Sequence, residues 1–197
     1  MSCRRAVRAR AGFIYTSNEA GGNRHEPASI LGTRRPNTPP DAPRMTDSET
    51  NEAARPNPAL EPFEVLVGAW TTVATHPMLP GTVFHGRATF RWLEQGAFLV
   101  MHSMFDEPGV PSAIAVLGTD DALGQCYMLY FDERGVSRRY DVALREGVWT
   151  WKRDAPGFAQ RFTGRIADDG ATIDGMGELC RDGSTWEKDL EVTYTRA

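Results

Sequence analysis

The run DERGVSRRY at residues 132–140 brings basic and phenolic side chains together. Arg138 and Tyr140 are two positions apart, so in a strand both side chains point to the same face. A guanidinium buried on that face must be paired with another group. Its partner is either the carboxylate of a bound ligand or an acidic side chain on a neighbouring strand. The run therefore predicts a ligand-binding pair, with an internal ion pair as the alternative.

Aromatic and polar residues alternate in the run WTWKRDAPGFAQRF that begins at Trp149. Trp149, Trp151 and Arg153 share one face of a strand, opposite Thr150 and Lys152. Such tryptophans either pack in the wall of a core or stack on a ligand. We predict three further ligand-binding residues: Trp151, Arg153 and, on the apolar face of the last strand-like run, Tyr194.

His76 follows a β-like run and precedes two prolines and a glycine, in the stretch WTTVATHPMLPGTVFHG. Pro77 removes a backbone donor and restricts the residue before it, which ends the strand. Pro80 and Gly81 suit the second and third positions of a type II turn. We predict a stiff loop that either directs His76 into an interior site as a donor or metal ligand, or plugs the end of the sheet with Met78 and Leu79.

His102 alternates with the apolar residues Phe98, Val100 and Met104, so we expect it to face inward. A single histidine on an apolar face is usually a hydrogen-bonded core residue. Axial ligation of heme by His76 or His102 is the alternative. No other cofactor is predicted, because no metalloprotease, phosphate-binding, dinucleotide-binding or catalytic-serine motif occurs in its required context. The cysteines, Cys3, Cys126 and Cys180, lack the spacing of a structural zinc site.

Charge divides the 197 residues into two parts. Residues 1–44 carry a net charge of +5, which leaves −9 for residues 45–197 of the total of −4. A domain this acidic repels phosphate backbones, so nucleic acid is not expected as a partner. No apolar run approaches the roughly 18 residues of a membrane span. With Cys126 and Cys180 predicted as buried thiols of a reducing compartment, we expect a cytoplasmic location.

The N-terminal residues 1–58 are rich in arginine and proline and show no sustained periodicity. Such a composition cannot bury enough apolar area to offset the entropy of ordering, so we predict a disordered extension. Its first part resembles a transit peptide in composition. Alternatively, Met45 is the true start and residues 1–44 are not translated. The folded domain is predicted to cover residues 59–197.

Ten strand-like runs follow a short helical segment at Pro62–Leu66. Glycine-containing links of a few residues separate them, which requires antiparallel neighbours. We therefore predict an all-β fold, an antiparallel up-and-down barrel of about ten strands with more interior volume than its side chains fill. The predicted strands are 67–75, 83–93, 97–105, 112–119, 125–132, 136–144, 147–153, 159–166, 171–180 and 185–195.

Alternation assigns the faces of two of these runs. In run 136–144, Arg138, Tyr140 and Val142 are predicted to face inward. In the last run, Leu190, Val192 and Tyr194 are placed inside, together with Trp186 and Lys188. Asp189 is placed outside, together with Glu187 and Glu191.

Several motifs resemble a family of uncharacterised bacterial lipocalin-like proteins of the calycin superfamily. The resemblance covers residues 61–197 and rests on LVGAW, THPMLPGT, FRWLEQGAFLVM, YFDERGVSRRYDV, WTWKRDAPGFAQRFTG and DGSTWEKDLEVTYTR. It implies a β-barrel whose first interstrand link covers the mouth. A more distant likeness to fatty-acid-binding proteins implies that Arg138 and Tyr140 hold a ligand carboxylate. Nitrobindin-type barrels are also similar, but their heme-binding histidine lies near the C-terminus, and this chain has no histidine after His102.

Three functions remain open at this point. The leading hypothesis is non-enzymatic binding of a small apolar or amphipathic ligand inside the barrel. The second is an enzyme that uses the same cavity, with His76 or Tyr140 as acid or base beside Arg138. The third is a structural or protein-binding module with a filled interior. A homodimer is a further possibility that the sequence leaves open.

Overall fold

The computed structural model describes residues 56–197. The prediction of a disordered extension and the interpretation of Met45 as the start lie almost entirely outside the described residues. The described chain begins with a 3₁₀ helix, Pro58–Leu66, which includes the predicted segment at Pro62–Leu66. The side chain of Asn57 caps this helix by accepting a hydrogen bond from the N–H of Ala59 at 3.1 Å.

Ten antiparallel strands form a closed barrel, as predicted. Each strand pairs with its neighbours in sequence, and the last strand pairs with the first, so no sheet edge is left open. The strands are β1 (Gly68–Thr75), β2 (Val83–Leu93), β3 (Phe98–Phe105), β4 (Ala113–Asp120), β5 (Gln125–Asp132), β6 (Ser137–Arg145), β7 (Val148–Arg153), β8 (Ala159–Ile166), β9 (Thr172–Cys180) and β10 (Trp186–Arg196). A second short 3₁₀ helix, Glu94–Gly96, links β2 to β3.

The 3₁₀ helix Pro58–Leu66 closes one end of the barrel. It buries Leu60, Phe63 and Leu66 against the core. The indole Nε1 of Trp70 donates to the carbonyl oxygen of Leu66 at 2.8 Å. At the end of β10, the guanidinium of Arg196 donates to the carbonyl oxygens of Val65 and Val67, which flank Leu66. The opposite end, which we call the loop end, is formed by the links β1–β2, β3–β4, β5–β6, β7–β8 and β9–β10.

Aromatic side chains fill most of the barrel interior, so less free volume remains than the sequence predicts. Rings from the helix and from the seven strands β1, β2, β5, β6, β7, β8 and β10 belong to one buried cluster. Trp149 forms edge contacts with Phe90, Phe162 and Tyr194, and Trp151 stacks on Phe162 at a centroid distance of 5.2 Å. Such close packing restricts any ligand to the space left near the loop end.

The predicted faces hold for β6, where Arg138, Tyr140 and Val142 are buried. The prediction for Asp189 is wrong: a β-bulge between Lys188 and Leu190 turns its side chain inward. The inward placement of His102 is also wrong. On β3 the residues that line the interior are Met101, Ser103 and Phe105, which leaves His102 exposed on the outer face. No helix among residues 56–197 is both long and apolar enough to cross a membrane.

Candidate ligand site at the loop end of the barrel

A small cavity of about 50 Å³ lies inside the barrel toward the loop end. Its walls are largely apolar, and three of the predicted ligand-binding residues, Tyr140, Trp151 and Tyr194, line it. Val110 and Pro111 of the β3–β4 link form part of the wall. The sequence did not indicate their involvement, because loop residues carry no alternation from which their direction can be predicted. The remaining lining residues are Met101, Ser103, Phe105, Ala113, Ala115, Met128, Tyr130, Trp149, Phe162 and Leu190.

Arg138 and Tyr140 meet at one amide oxygen beside this cavity. Arg138 Nη1 donates to Gln160 Oε1 at 3.1 Å, and the hydroxyl of Tyr140 donates to the same atom at 2.8 Å. The guanidinium of Arg138 also lies over the ring of Phe158, 4.8 Å from its centroid. Within residues 56–197, the ion pairs do not include one to Arg138. The predicted internal ion pair is thus replaced, among these residues, by a neutral amide and an aromatic ring.

Burial raises the pKa of Tyr140, although the hydrogen bond and charge of Arg138, together with the charge of Arg153, act in the opposite direction. Tyr140 therefore carries its proton at neutral pH and serves as a hydrogen-bond donor. Arg153 does not line the cavity. Its Nη1 donates to the carbonyl oxygen of Phe158 at 3.1 Å, which braces the β7–β8 link.

Both ring nitrogens of His76 are engaged. The backbone N–H of Met78 donates to Nδ1 at 3.0 Å, so the lone pair of Nδ1 is an acceptor. The proton then resides on Nε2, which lies 3.1 Å from Asp189 Oδ1 and donates to it. Both side chains are buried. In this arrangement, neither nitrogen of His76 is available to a metal ion or to heme iron.

The bulge that places Asp189 opposite His76 left one signal in the sequence. Strict alternation through β10 puts the charged Lys188 on the apolar face with Leu190. The bulge removes this conflict, because Lys188 becomes exposed while Asp189 turns inward. A lysine out of phase with its apolar neighbours therefore indicated an extra residue in the strand.

The loop after His76 has the predicted turn. The N–H of Thr82 donates to the carbonyl oxygen of Leu79 at 3.1 Å, and Gly81 has φ of +80°, as the third position of a type II turn requires. A preceding turn is closed by the N–H of Leu79 and the carbonyl oxygen of His76. Leu79 packs against the core, whereas Met78 is exposed. The loop thus both seals the barrel end and holds the His76 ring in place.

Asp132 anchors a second polar cluster at the loop end, where the sequence indicated only a hairpin. The hydroxyl of Tyr130 donates to Asp132 Oδ2 at 3.1 Å, and Arg134 donates to the same carboxylate through its backbone and its guanidinium. Burial opposes ionisation of Asp132. The hydrogen bonds and the charge of Arg134 outweigh this effect and lower the pKa of the carboxyl group. The cluster fixes the β5–β6 turn and keeps the Tyr130 hydroxyl hydrogen-bonded to Asp132.

Comparison with known proteins indicates the fold. No family model and no curated protein matches the sequence. The crystal structure of Rv2717c from M. tuberculosis is 16% identical, with a TM-score of 0.51, over 72% of this chain and 99% of that chain. A protein of unknown function from the DUF3598 family of Nostoc punctiforme is 8% identical, with a TM-score of 0.24, over 72% of this chain and 100% of that chain. The likeness to Rv2717c supports the ten-stranded barrel and goes no further than the fold.

Proposed function

We propose that the barrel binds a small apolar or amphipathic molecule near its loop end and that it does so without catalysis. The observation that carries this proposal is the interior cavity, which has mainly apolar walls and a few polar groups beside it. Binding sites for small molecules have this composition, because apolar surface supplies affinity and a few polar groups fix orientation. The proposal includes membership of the bacterial lipocalin-like proteins and a cytoplasmic location, supported by the barrel and by the free thiols of Cys126 and Cys180 within residues 56–197.

The size of the cavity sets a condition on this function. An apolar cavity of about 150 Å³ holds benzene in another protein. The present cavity of about 50 Å³ is smaller, so a ligand with an acyl chain must displace part of the wall. Met101 and Met128 line it, and methionine side chains adapt readily because they are unbranched and polarizable. We propose that these side chains and the β3–β4 link at Val110 and Pro111 move when ligand enters.

The polar end of the ligand is proposed to meet Arg138 and Tyr140. Both donate to Gln160 Oε1, which is a neutral acceptor. A carboxylate in its place would form charge-assisted hydrogen bonds, which are shorter and stronger than bonds to an amide. The carboxylate of the ligand is thus proposed to replace Gln160 Oε1 as the acceptor of the hydrogen bonds from Arg138 and Tyr140. His76 is assigned a supporting role in this proposal, because it fixes the loop and Asp189 rather than reaching the cavity.

Binding of a fluorescent fatty acid and of its neutral alcohol analogue tests the proposal. Arg138→Met keeps the apolar stem and removes the charge. A hydrogen bond to a charged group contributes about 1.5–3 kcal/mol, so the fatty acid is expected to bind roughly tenfold to a hundredfold more weakly. The alcohol is expected to bind almost unchanged. Arg139→Met is the matched control, because the neighbouring Arg139 is exposed on the outer face of β6.

Equal losses for the charged and the neutral probe in Arg138→Met would show that Arg138 is structural. Failure of both probes to bind the unaltered protein, at concentrations up to the solubility limit of each, would contradict the binding proposal itself. The two results are distinct, because the first leaves the cavity as a site for apolar molecules.

We also propose a weak homodimer through the outer face of β3, β4 and β5. Outer faces elsewhere are mostly polar, whereas this one presents Phe98, Ile114 and Phe131, which are exposed, beside Val116 and Leu129. The register places Ile114 directly between His102 and Phe131. Three strands of this length span roughly 27 by 14 Å. This footprint is below the roughly 800 Å² per partner of a standard interface, so the dimer is expected to dissociate readily.

Sedimentation velocity over a range of protein concentrations tests the dimer. The unaltered protein is expected to shift from monomer to dimer as its concentration rises. Phe131→Lys is expected to remain monomeric, whereas Met176→Lys, at an equally exposed apolar position on β9, is expected to behave as the unaltered protein does. A monomer at every concentration would refute the proposal.

A further inference from the structure

Among the described residues, three tyrosines line the cavity, and their hydroxyl groups differ in their hydrogen-bond partners. Tyr130 donates to Asp132, and Tyr140 donates to Gln160. Tyr194 is 7% exposed, and the hydrogen bonds among residues 56–197 do not include its hydroxyl, which is not among the fully enclosed polar atoms. Such a hydroxyl is free to donate to water or to a molecule that enters the cavity. Tyr194 therefore offers the cavity a donor that the surrounding protein does not use.

A second donor without a partner belongs to the same wall. Trp149 is 1% exposed, and its Nε1 is a buried atom without a hydrogen-bond partner among the described residues. The indole N–H is a donor only. The rings of Trp149 and Tyr194 are in edge contact, with centroids 6.2 Å apart. An enclosed donor without an acceptor is unusual in a folded protein, and an acceptor oxygen of a bound molecule placed beside Tyr194 would account for it.

The chemistry of these groups distinguishes them from the Arg138 site. Burial raises the pKa of Tyr194, so the hydroxyl stays protonated at neutral pH. Among residues 56–197, no cationic side chain lines the cavity. A carboxylate is therefore not favoured at this point, because its charge would be buried without a counterion. A neutral oxygen satisfies the donors without that cost.

We propose that the molecule bound in this cavity carries a neutral acceptor oxygen, of the ketone or ester class, that Tyr194 holds by its hydroxyl with Trp149 as the second donor. This inference rests on the proposed binding function and specifies the chemistry of the ligand. The acceptor is held among the apolar rings, separate from any anionic group at Arg138. The site thus selects an oxygenated apolar molecule over a hydrocarbon of the same shape.

Cyclopentanone and methylenecyclopentane form a matched pair of probes, because a CH₂ group replaces the oxygen and the shape is kept. Titrations followed by NMR of ¹⁵N-labelled full-length protein measure the affinity of each. The ketone is expected to bind about threefold to tenfold more tightly, as one neutral hydrogen bond implies. The indole N–H resonance of Trp149, assigned with Trp149→Phe, is expected to move downfield with the ketone and not with the alkene.

Tyr194→Phe removes a single oxygen atom, and its melting temperature verifies folding. This variant is expected to lose most of the preference for the ketone, with only the Trp149 donor left, while its affinity for the alkene stays unchanged. Tyr127→Phe is the control, since Tyr127 lies on the outer face of β5, where it contacts Arg139. Equal binding of both probes to the unaltered protein, without a response of the Trp149 resonance, overturns the inference and leaves the binding function standing.

Water is the competing occupant. The cavity of about 50 Å³ exceeds the roughly 10–15 Å³ that one water molecule requires, so water fits in it. Nuclear Overhauser contacts between a long-lived water and the Trp149 indole proton that persist unchanged at saturating ketone would overturn the inference. Binding of neither probe, together with binding of the fatty acid in an Arg138-dependent manner, would also overturn it without affecting the proposed function.

Discussion

Polar side chains buried inside the barrel fall into two groups. The Asp132 carboxylate, Gln160 Oε1 and the His76–Asp189 pair form hydrogen bonds within the protein. Among the described residues, Trp149 Nε1 is enclosed without a partner, and the side-chain hydrogen bonds leave the Tyr194 hydroxyl free to donate into the cavity. Satisfied groups stabilise one arrangement of the loops, whereas unsatisfied groups favour a bound molecule. The contrast separates residues that hold the site from residues that are proposed to contact a ligand.

The His76–Asp189 pair is expected to stabilise the loop end measurably. Asp189→Ala leaves the Nε2 donor of His76 buried without an acceptor, so the free energy of unfolding should fall by about 1–3 kcal/mol. His76→Ala should cost a similar amount. The double variant should cost less than the sum, because the two residues act through one bond. Urea denaturation of the four proteins measures the coupling.

Arg139 and Asp141 provide the control for this cycle. Their side chains are half exposed and 3.4 Å apart, so their coupling should lie at about 0–0.5 kcal/mol. Additive effects of the His76 and Asp189 substitutions would show that the buried bond contributes nothing beyond the separate packing of the two side chains.

The strands were predictable because their alternation and their glycine links are local properties. The sequence places every strand within one or two residues of its observed bounds, and the faces of β6 follow from period two. The faces of β3 and of the first part of β10 were wrong. A bulge adds one residue to β10, and the apolar outer face of β3 resembles an inner one. The bulge in β10 and the apolar outer face of β3 both leave an ordinary strand composition, so the alternation of residue types does not reveal either of them.

Close packing between β8 and β9 depends on small residues that the sequence did not single out. Gly164 and Gly175 are paired across these strands, and the ring of Phe162 covers both positions. A Cβ at Gly175 would lie 2.5 Å from Phe162 Cζ. The glycines therefore leave space for a ring that also lines the cavity.

Gly175→Ala is expected to displace Phe162 and lower the free energy of unfolding by about 1–3 kcal/mol, as overpacked cores do. The cavity wall should change as well, because Phe162 stacks on Trp151. Thermal unfolding and near-ultraviolet circular dichroism measure these effects. Met176→Ala, at an exposed position on the same strand, should change stability by about 0.5 kcal/mol or less. A Gly175→Ala protein as stable as the unaltered one would show that the ring shifts without strain.

Closure of the whole barrel brings together groups that are far apart in the sequence. His76 and Asp189 are separated by 113 positions, and they meet only because β10 pairs with β1. The sequence predicted the barrel and three of the residues that line its cavity. It did not predict how much of the interior the aromatic rings fill, since that depends on the rotamers and the register of all ten strands.

The buried tyrosines make the stability of the whole molecule sensitive to alkaline pH. Burial raises the pKa values of Tyr130, Tyr140 and Tyr194. Tyrosines of the unfolded chain ionise near pH 10. The folded state binds more protons above that pH, so the stabilisation is fully present below about pH 10 and is lost as pH rises through the raised folded values. Each such tyrosine should contribute up to about 1.4 kcal/mol per pH unit to this loss.

Urea denaturation at pH values from 8 to 11 measures this dependence. The free energy of unfolding should decrease above about pH 10, and the tyrosinate absorbance at 295 nm should rise together with unfolding. Tyr194→Phe removes one contributing group, so its stability should fall less steeply over the same range, while Tyr127→Phe isolates the effect of an outer-face tyrosine. The Tyr194→Phe substitution leaves every other ionisable group in place, so the difference in slope reports the Tyr194 hydroxyl. Identical slopes for the unaltered protein and Tyr194→Phe would mean that the Tyr194 hydroxyl reaches solvent and is not enclosed in the cavity wall.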